Sequence, residues 1–351
     1  MLNIAIAGLG TVGDGVVREL QIHAELIAAR AGQPIAIKAV SARDKNKKRD
    51  CKLDGITWVD DPLKLAALPD VHAVVELIGG TDGAARNLAE ATLKNGKHLI
   101  TANKALLAAH GVALANIAEQ NYLQIYFEAA VCGGIPVIKT LREGLAGNVI
   151  THVRGILNGT CNYILTRMGD AKLSFDAALK EAQDKGYAEA DPAADIDGHD
   201  TANKLALLIA LAFGCEPDLA SIPVTGIRNI TQADLAAAEQ KNCVVKLLGM
   251  ARMTENGLQY RVTPVLAPKT SSLSGIPGAY NAVQITGDFV GPLTLVGHGA
   301  GSEPTASAVV ADIIDLARGH KTPVFGIPAT KLIKLKPVTA APSSGIMPIE
   351  D

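Results

Sequence analysis

Aromatic side chains are scarce: Phe, Trp and Tyr make up 3% of the 351 residues, with a single Trp. A core without them must be filled by Ala, Leu, Ile and Val, and a hydrophobic content of 48% allows a large one. Charge is also thin, with Asp, Glu, Lys and Arg at 19%, below the roughly 25% of ordinary soluble chains. Neither sign dominates. A formal net charge of -2 provides no field for capturing nucleic acid, and the one basic cluster, Lys45, Lys47, Lys48 and Arg49, reads as a solvated loop. Long hydrophobic runs are missing. The longest strongly apolar run, residues 205–213, is far short of the about 20 needed to span a bilayer. No basic segment followed by an apolar stretch and a cleavage site opens the chain, which runs from Met1 straight into an apolar strand pattern, so no signal peptide is expected. Cysteine is present as five residues, an odd number with no pair at CxxC spacing. That excludes a disulfide framework and a zinc site and fits a reducing cytoplasm.

What is present is alternation. Residues 3–7 read as a strand, 12–29 as a helix and 35–40 as a strand after Pro34. Further strands are expected at 71–78, 97–101 and 122–128, with helices at 84–95 and 104–120 between them. Strands alternating with helices imply parallel βαβ units and a Rossmann-type doubly wound sheet. The pattern then changes to an α+β region, with helices at 133–147, 175–186 and 200–213 and strands at 149–156, 258–266 and 282–287. Residues 305–318 form a strongly apolar helix expected to pack back onto the first domain. About two domains suit this length. The boundaries expected are 1–131 completed by 304–335, then 132–303, with a Pro-, Ala- and Ser-rich flexible tail over 336–351.

The first site signal is Gly8-Leu9-Gly10-Thr11-Val12-Gly13. GxGxxG is weak alone, but here it follows a strand and opens a helix, as dinucleotide binding requires. Gly8 permits the tight turn, Gly10 lets a pyrophosphate approach the backbone, and Gly13 lets helix and strand pack closely. At the end of the second strand, NAD enzymes usually place an acid for the ribose 2′-OH. This chain has Ser41-Ala42-Arg43 instead. A hydroxyl and a guanidinium suit a 2′-phosphate, so NADP is expected, while Asp44 leaves NAD open.

The second signal is a run of acids: Glu189, Asp191, Asp195, Asp197 and Asp200 precede the apolar helix. Asp200 and Lys204, four residues apart, share a face at its start. A lysine leading into a buried helix is costly unless paired or functional, and its environment would tune it for acid–base work. Divalent-metal binding has no matching loop pattern. Acids favouring a helix N-terminus could explain Asp197 or Asp200, but not Lys204. Lys104 follows a strand end in the first domain, where ligands of open α/β sheets sit. Cys132, before Gly133-Gly134, would be the thiolate of a thiol-dependent semialdehyde dehydrogenase; with no neighbouring His it reads better as a small buried thiol. A non-catalytic NADP-sensing protein would keep the fold, but the presence of Lys104, Asp200 and Lys204 together speaks against it.

Taken together, the glycine loop, Glu76-Leu77-Ile78-Gly79-Gly80, Thr101-Ala102-Asn103-Lys104, Phe127-Glu128-Ala129-Ala130-Val131, Gly133-Gly134-Ile135-Pro136, Asn158-Gly159-Thr160, the acidic stretch to Lys204 and Gly297-His298-Gly299-Ala300-Gly301 resemble homoserine dehydrogenase. The resemblance runs over about residues 4–318, and its middle segments are the specific ones. It implies interconversion of L-homoserine and L-aspartate 4-semialdehyde with a nicotinamide cofactor, in threonine and methionine biosynthesis. It implies Lys204 as catalytic acid/base with Lys104 and Asp200, and Gly8, Gly10, Thr11, Val12, Gly13, Arg43, Gly79, Lys104 and Gly301 as cofactor-binding. Glu189 would bind the substrate amino group, with Asp195, Gly159 and Thr160 also in the substrate site. Glu128, Val131, Gly133 and Ile135 would hold a monovalent cation such as sodium, mostly through carbonyls and in a structural role. The resemblance also implies a homodimer or higher homo-oligomer through the second domain, no nucleic-acid or membrane partner, and no regulatory extension. On this reading a second-domain lysine meets a nicotinamide held by the first.

Overall fold

The computed structural model describes residues 1–334 and 346–349. The chain divides into two compact units, one of Met1–Gly144 with Ala300–Ile333, the other of Leu145–Gly299 with the segment from Lys334.

In the first unit, six strands among the described residues form one sheet: β1 (Leu2–Ala7), β2 (Ile35–Ser41), β3 (Thr57–Trp58), β4 (Ala73–Glu76), β5 (His98–Thr101) and β6 (Ile125–Tyr126). Their order is β3-β2-β1-β4-β5-β6, and every pairing is parallel. Successive side chains of a strand face opposite ways. Ile4 and Ile6 therefore enter the core layer shared with α1 (Thr11–Ile22), α2 (Ala24–Ala31) and α11 (Ser302–Ala317), the last supplying Val309, Val310 and Ile313. Ala5 and Ala7 face the other layer, closed by Leu65 and by Leu88 of α3 (Ala84–Lys94), with α4 (Lys104–Gln120) packed beside α3. The helix expected over 12–29 breaks at His23, whose backbone (φ -107°, ψ 24°) ends α1; α2 follows at once and buries Ile27 and Ala31.

The unit boundary falls at Gly144/Leu145 rather than after residue 131. The reason is local bonding. The Glu128 carboxylate accepts from the N–H groups of Ile138 (2.8 Å) and Lys139 (2.9 Å) in the short turn α5 (Val137–Lys139), and Lys139 pairs with Asp315 of α11. The helix expected over 133–147 shrinks to α5 and the π-turn Thr140–Gly144. Cys132 (φ +58°) and Gly133 (φ +48°) are both left-handed, which turns the chain before any helix can start.

The second unit holds a six-stranded sheet among the described residues, ordered β11-β10-β7-β8-β9-β12. Its strands are β7 (Ile150–Ile156), β8 (Cys243–Thr254), β9 (Gly257–Pro268), β10 (Tyr280–Gly287), β11 (Gly291–His298) and β12 (Met347–Pro348). All neighbours are antiparallel except β12, which runs parallel to β9. The helices are α6 (Gly159–Asp170), α7 (Phe175–Asp184), α8 (Ala193–Ile196), α9 (His199–Phe213) and α10 (Gln232–Gln240). α9 lies on the sheet at Gly249, where a Cβ would stand 2.8 Å from Leu157 and 3.2 Å from Thr201. Of the tail expected to be flexible over 336–351, residues 335–345 and 350–351 lie outside the described residues. Met347 and Pro348, by contrast, pair with Val265 and Leu266, and Ile349 packs on the Leu248–Val265 core, so those residues are ordered by an apolar contact at a sheet edge. No helix among the described residues is long and apolar enough to cross a membrane.

α11 approaches α1 at Gly15, where a Cβ would lie 2.7 Å from Ser302 Oγ and 3.1 Å from Ala306 Cβ. Gly15→Val should therefore destabilise the protein by about 1–3 kcal/mol. Urea unfolding followed by circular dichroism measures this; an unchanged midpoint would mean the two helices do not pack closely.

Candidate active site

The loop after β1 is shaped by its glycines. Gly8 has φ +101°, and a Cβ there would sit 2.4 Å from Leu77 O. A Cβ on Gly13 would sit 1.9 Å from Gly8 O, whereas one on Gly10 would meet nothing within 4 Å. Two glycines thus close the packing and one opens a hollow at the start of α1, whose first residues are Thr11 and Val12. Ser302 Oγ donates to Thr11 O (2.7 Å), setting Gly301, the residue before α11, beside the same loop. Gly79 (φ +83°), past the end of β4, also faces open space. The loops after β1 and β4 flank the point where strand order reverses, the usual ligand crevice of such sheets. Glycine-lined space and helix-start N–H groups fit a pyrophosphate.

Past β2, Ser41 is buried and Arg43 exposed. The basic cluster is not simply a solvated loop. Arg49 donates to the carbonyls of Leu9 (3.2 Å), Asp44 (2.6 Å) and Lys47 (2.9 Å) and lies 5.5 Å from the Trp58 ring centroid. Asp14 accepts from the N–H groups of Asp50 and Cys51, both at 3.0 Å. The loop bearing Arg43 is thereby tied to the glycine loop.

Sequence reasoning gave Glu76 no role, yet it organises the strand ends. It is fully buried. One carboxylate oxygen accepts from the N–H of Ile78 (2.7 Å) and Gly79 (3.1 Å), and the other accepts from Thr101 Oγ1 (2.6 Å). Thr101 Oγ1 in turn accepts from Asn103 N, while Asn103 donates to Gly80 O (2.7 Å) and caps α4 by accepting from Leu106 N. Lys104, the first residue of α4, takes its position from that cap. A polar residue buried among strand ends was the available signal.

In the second unit the acids separate. Lys204, 8% exposed, donates to Leu157 O (2.6 Å) and Asp200 Oδ2 (2.7 Å). Asn158 Nδ2 donates to Asp195 Oδ1 (2.7 Å) and Asp200 Oδ2 (2.8 Å), and its Oδ1 caps α6 by accepting from Cys161 N (2.8 Å). Burial first, then the Asp200 charge, push the Asp195 carboxyl above its ordinary range. Thr160 Oγ1 donates to Tyr187 O (2.7 Å), and Gly159 begins α6 where a Cβ would strike Ala279 O at 2.4 Å. Lys204, Asp200, Asp195 and the Asn158-Gly159-Thr160 turn thus form one network, with Asn158 at its centre. Asp197 instead pairs with Arg228 (2.9 and 2.8 Å), and Asp191 caps Ala193 N (3.1 Å). Glu189 is exposed on the loop after α7; among the described residues its carboxylate is not bonded into the network.

The carbonyl-bearing residues Glu128, Val131, Gly133 and Ile135 lie on the turn after β6. The Glu128 carboxyl, raised to about 7 chiefly by burial, is committed to α5, so Glu128 has its carbonyl to offer. Cys132 is fully buried, which leaves its thiol no access to an aldehyde.

Two family models match: "Homoserine dehydrogenase" over residues 136–314 and "Homoserine dehydrogenase, NAD binding domain" over residues 8–128. The chain belongs to the homoserine dehydrogenase family. It is 45% identical over 317 residues to the homoserine dehydrogenase of Neisseria gonorrhoeae, covering 90% of this chain and 72% of that protein. The Bacillus subtilis homoserine dehydrogenase is 40% identical, with 93% and 75% covered. The crystal structure of a homoserine dehydrogenase from Thiobacillus denitrificans superposes with TM-score 0.91 at 42% identity, over 96% of this chain and 79% of that one. A hyperthermophilic archaeal homoserine dehydrogenase in complex with NADPH matches at TM-score 0.78 and 25% identity, over 92% and 99%. As a homoserine dehydrogenase, the protein is an NAD(P)-dependent oxidoreductase of amino-acid biosynthesis that acts on a hydroxyl group of a small molecule.

The glycines separate binding from folding. Gly10→Ala should weaken nicotinamide-nucleotide binding about tenfold while leaving the unfolding midpoint unchanged. Gly13→Ala should lower stability by about 1–3 kcal/mol. Fluorescence titration and thermal unfolding of both variants check this; equal effects in both assays would refute the division of labour.

Proposed function

We propose that the chain interconverts L-homoserine and L-aspartate 4-semialdehyde, in the supply of threonine and methionine, with Lys204 as the group that moves the proton. The observation that carries this is the charge arrangement around Asn158. One amide nitrogen holds two carboxylates, Asp195 and Asp200, against a single lysine. Two acids and one base leave a net negative pocket, which suits a substrate bearing an ammonium group. Asp195 is our candidate partner for that ammonium in place of Glu189, which is exposed on the loop after α7, with Gly159 and Thr160 at the adjoining helix start.

Asp200 and Leu157 O aim the Lys204 amine from below. In the reducing direction its N–H donates the proton to the forming alkoxide, and its charge stabilises the oxygen beforehand; in oxidation it receives the hydroxyl proton. The bound nicotinamide supplies or accepts the hydride. Lys104, fixed by the Asn103 cap, is our assisting lysine. The hollow at Gly10, with Gly8, Thr11, Val12, Gly13, Gly79 and Gly301 around it, would hold the pyrophosphate. Exposed Arg43 and the ordered loop behind it favour NADP, with NAD also admitted. Carbonyls of Glu128, Val131, Gly133 and Ile135 would hold a monovalent cation that stiffens the turn. Phe289, Val149 and Val296 are exposed apolar side chains of the second unit, consistent with a homo-oligomer formed there. The five free cysteines fit a cytoplasmic setting.

Lys204→Met should lower kcat at least about 100-fold, within the usual range for a lost acid–base group, and leave nucleotide affinity unchanged. Steady-state kinetics with homoserine and equilibrium titration of the nucleotide test it; turnover within tenfold of the parent would overturn the assignment. Arg43→Ala should raise KM for NADP about tenfold, as for loss of one charge-assisted contact of about 1.4 kcal/mol, with KM for NAD hardly changed. A parallel rise for both nucleotides would count against a 2′-phosphate contact.

A further inference from the structure

A cavity of about 320 Å³ lies in the second unit, where the end of α6, α10, the start of β8 and the 269–277 loop meet. Its wall includes Lys246, a lysine on β8 with 5% exposure. The Lys246 amine donates to Asn162 Oδ1 (2.8 Å) and Ile276 O (2.6 Å). Both partners are neutral oxygens. An ammonium has three N–H donors, so one remains for a further acceptor. No carboxylate among the described residues bonds to it; Asp170, on the same wall, acts only through space. Burial accordingly pushes the amine down to about 8. The hydroxyl of Thr166, another wall residue, is buried without a hydrogen-bond partner.

Other charges on the wall correct this only in part, Asp170 through space. Lys172 and Glu239 pair with each other at 3.4 Å, both largely exposed, and Lys269 adds a further cation. A buried ammonium whose hydrogen-bond partners are all neutral is compensated only in part, and an anion brought into contact with it would offset the remaining cost. The remaining wall, with Leu165, Leu235 and Pro277, is apolar, which favours a small organic anion over a bare inorganic one.

We propose that this cavity is a binding site for a small organic carboxylate, held by the Lys246 amine and the Thr166 hydroxyl. It lies at the far end of α6 from Asn158 and is distinct from the homoserine site. The donors it would take are one Lys246 N–H and the Thr166 hydroxyl, neither bonded to another group among the described residues.

The probe is succinate, titrated calorimetrically into the full chain, with putrescine as a cation of similar length. Two variants locate the site. Lys246→Met removes the charge. Gly169→Leu places a bulky side chain at a wall position that has room for it, since a Cβ at Gly169 meets nothing within 4 Å. Succinate should bind saturably to the parent and at least about tenfold more weakly to both variants, while putrescine gives no saturable heat. Homoserine turnover in Gly169→Leu should equal that of the parent, which confirms folding and keeps the test decisive should Lys246→Met fail to fold. No saturable succinate binding, or equal binding by parent and Gly169→Leu, would overturn the proposal.

Discussion

A lysine amine cannot be withdrawn from water unless oxygens replace the water, and the second unit is arranged around meeting that demand at Lys204. The Leu157 carbonyl does part of it and Asp200 the rest. Each of those oxygens is itself fixed. Asn281 Nδ2 donates to Leu157 O (3.0 Å), and Asn158 grips Asp200 while capping α6. The glycines follow from the same crowding. A Cβ on Gly299 would fall 2.1 Å from the Asn281 side chain. Removing one partner of such a set would leave a buried charge exposed to low dielectric, which is far more costly than the set's net contribution to stability.

The first unit solves a related problem with the opposite charge. Glu76 is buried at a strand end and has no cation bonded to it among the described residues; its oxygens take two backbone N–H groups and a hydroxyl. Those three bonds tie the turn after β4 to the start of α4. A flexible glycine turn and a lysine at a helix start would each be free to move alone. Through Glu76, Thr101 and Asn103 they move together or not at all, and the hollow at Gly79 keeps its shape.

Much of this was legible in the sequence where a residue has one dominant reason to be where it is. α4 begins at Lys104 and ends at Gln120 because Asn103 caps it and the helical period runs unbroken. The glycine loop was readable because its context, strand then helix, is mechanistically required. Illegible elements are those decided by tertiary contact. β8 carries Gly249 and Lys246 in its interior, neither of which favours a strand; α9 packing and the Asn162 contact decide there. α6 starts with Asn158-Gly159-Thr160, read as a turn and used as a cap. Arg49 looked solvated because nothing local tells that its partners are carbonyls, one of them forty residues away. Met347 and Pro348 pair with a strand about eighty residues earlier, a contact no local pattern announces.

The two buried lysines of the second unit show why charge balance says more than residue type. Lys204 stands among two carboxylates gathered by Asn158, so its surroundings carry a net negative charge and favour a cationic group on the ligand. Lys246 is bonded to an amide oxygen and a carbonyl, both neutral, with Asp170 acting only through space, so its charge is left to attract an anion. Both are served from one helix: Asn158, the cap of α6, holds Asp200, the partner of Lys204, and Asn162 one turn further on holds Lys246 directly. An asparagine can serve both because it offers a donor and an acceptor: Asn158 uses its N–H groups to collect acids, and Asn162 uses its oxygen to hold an amine. One residue type, turned two ways on one helix, holds two carboxylates at one end and an amine one turn further on.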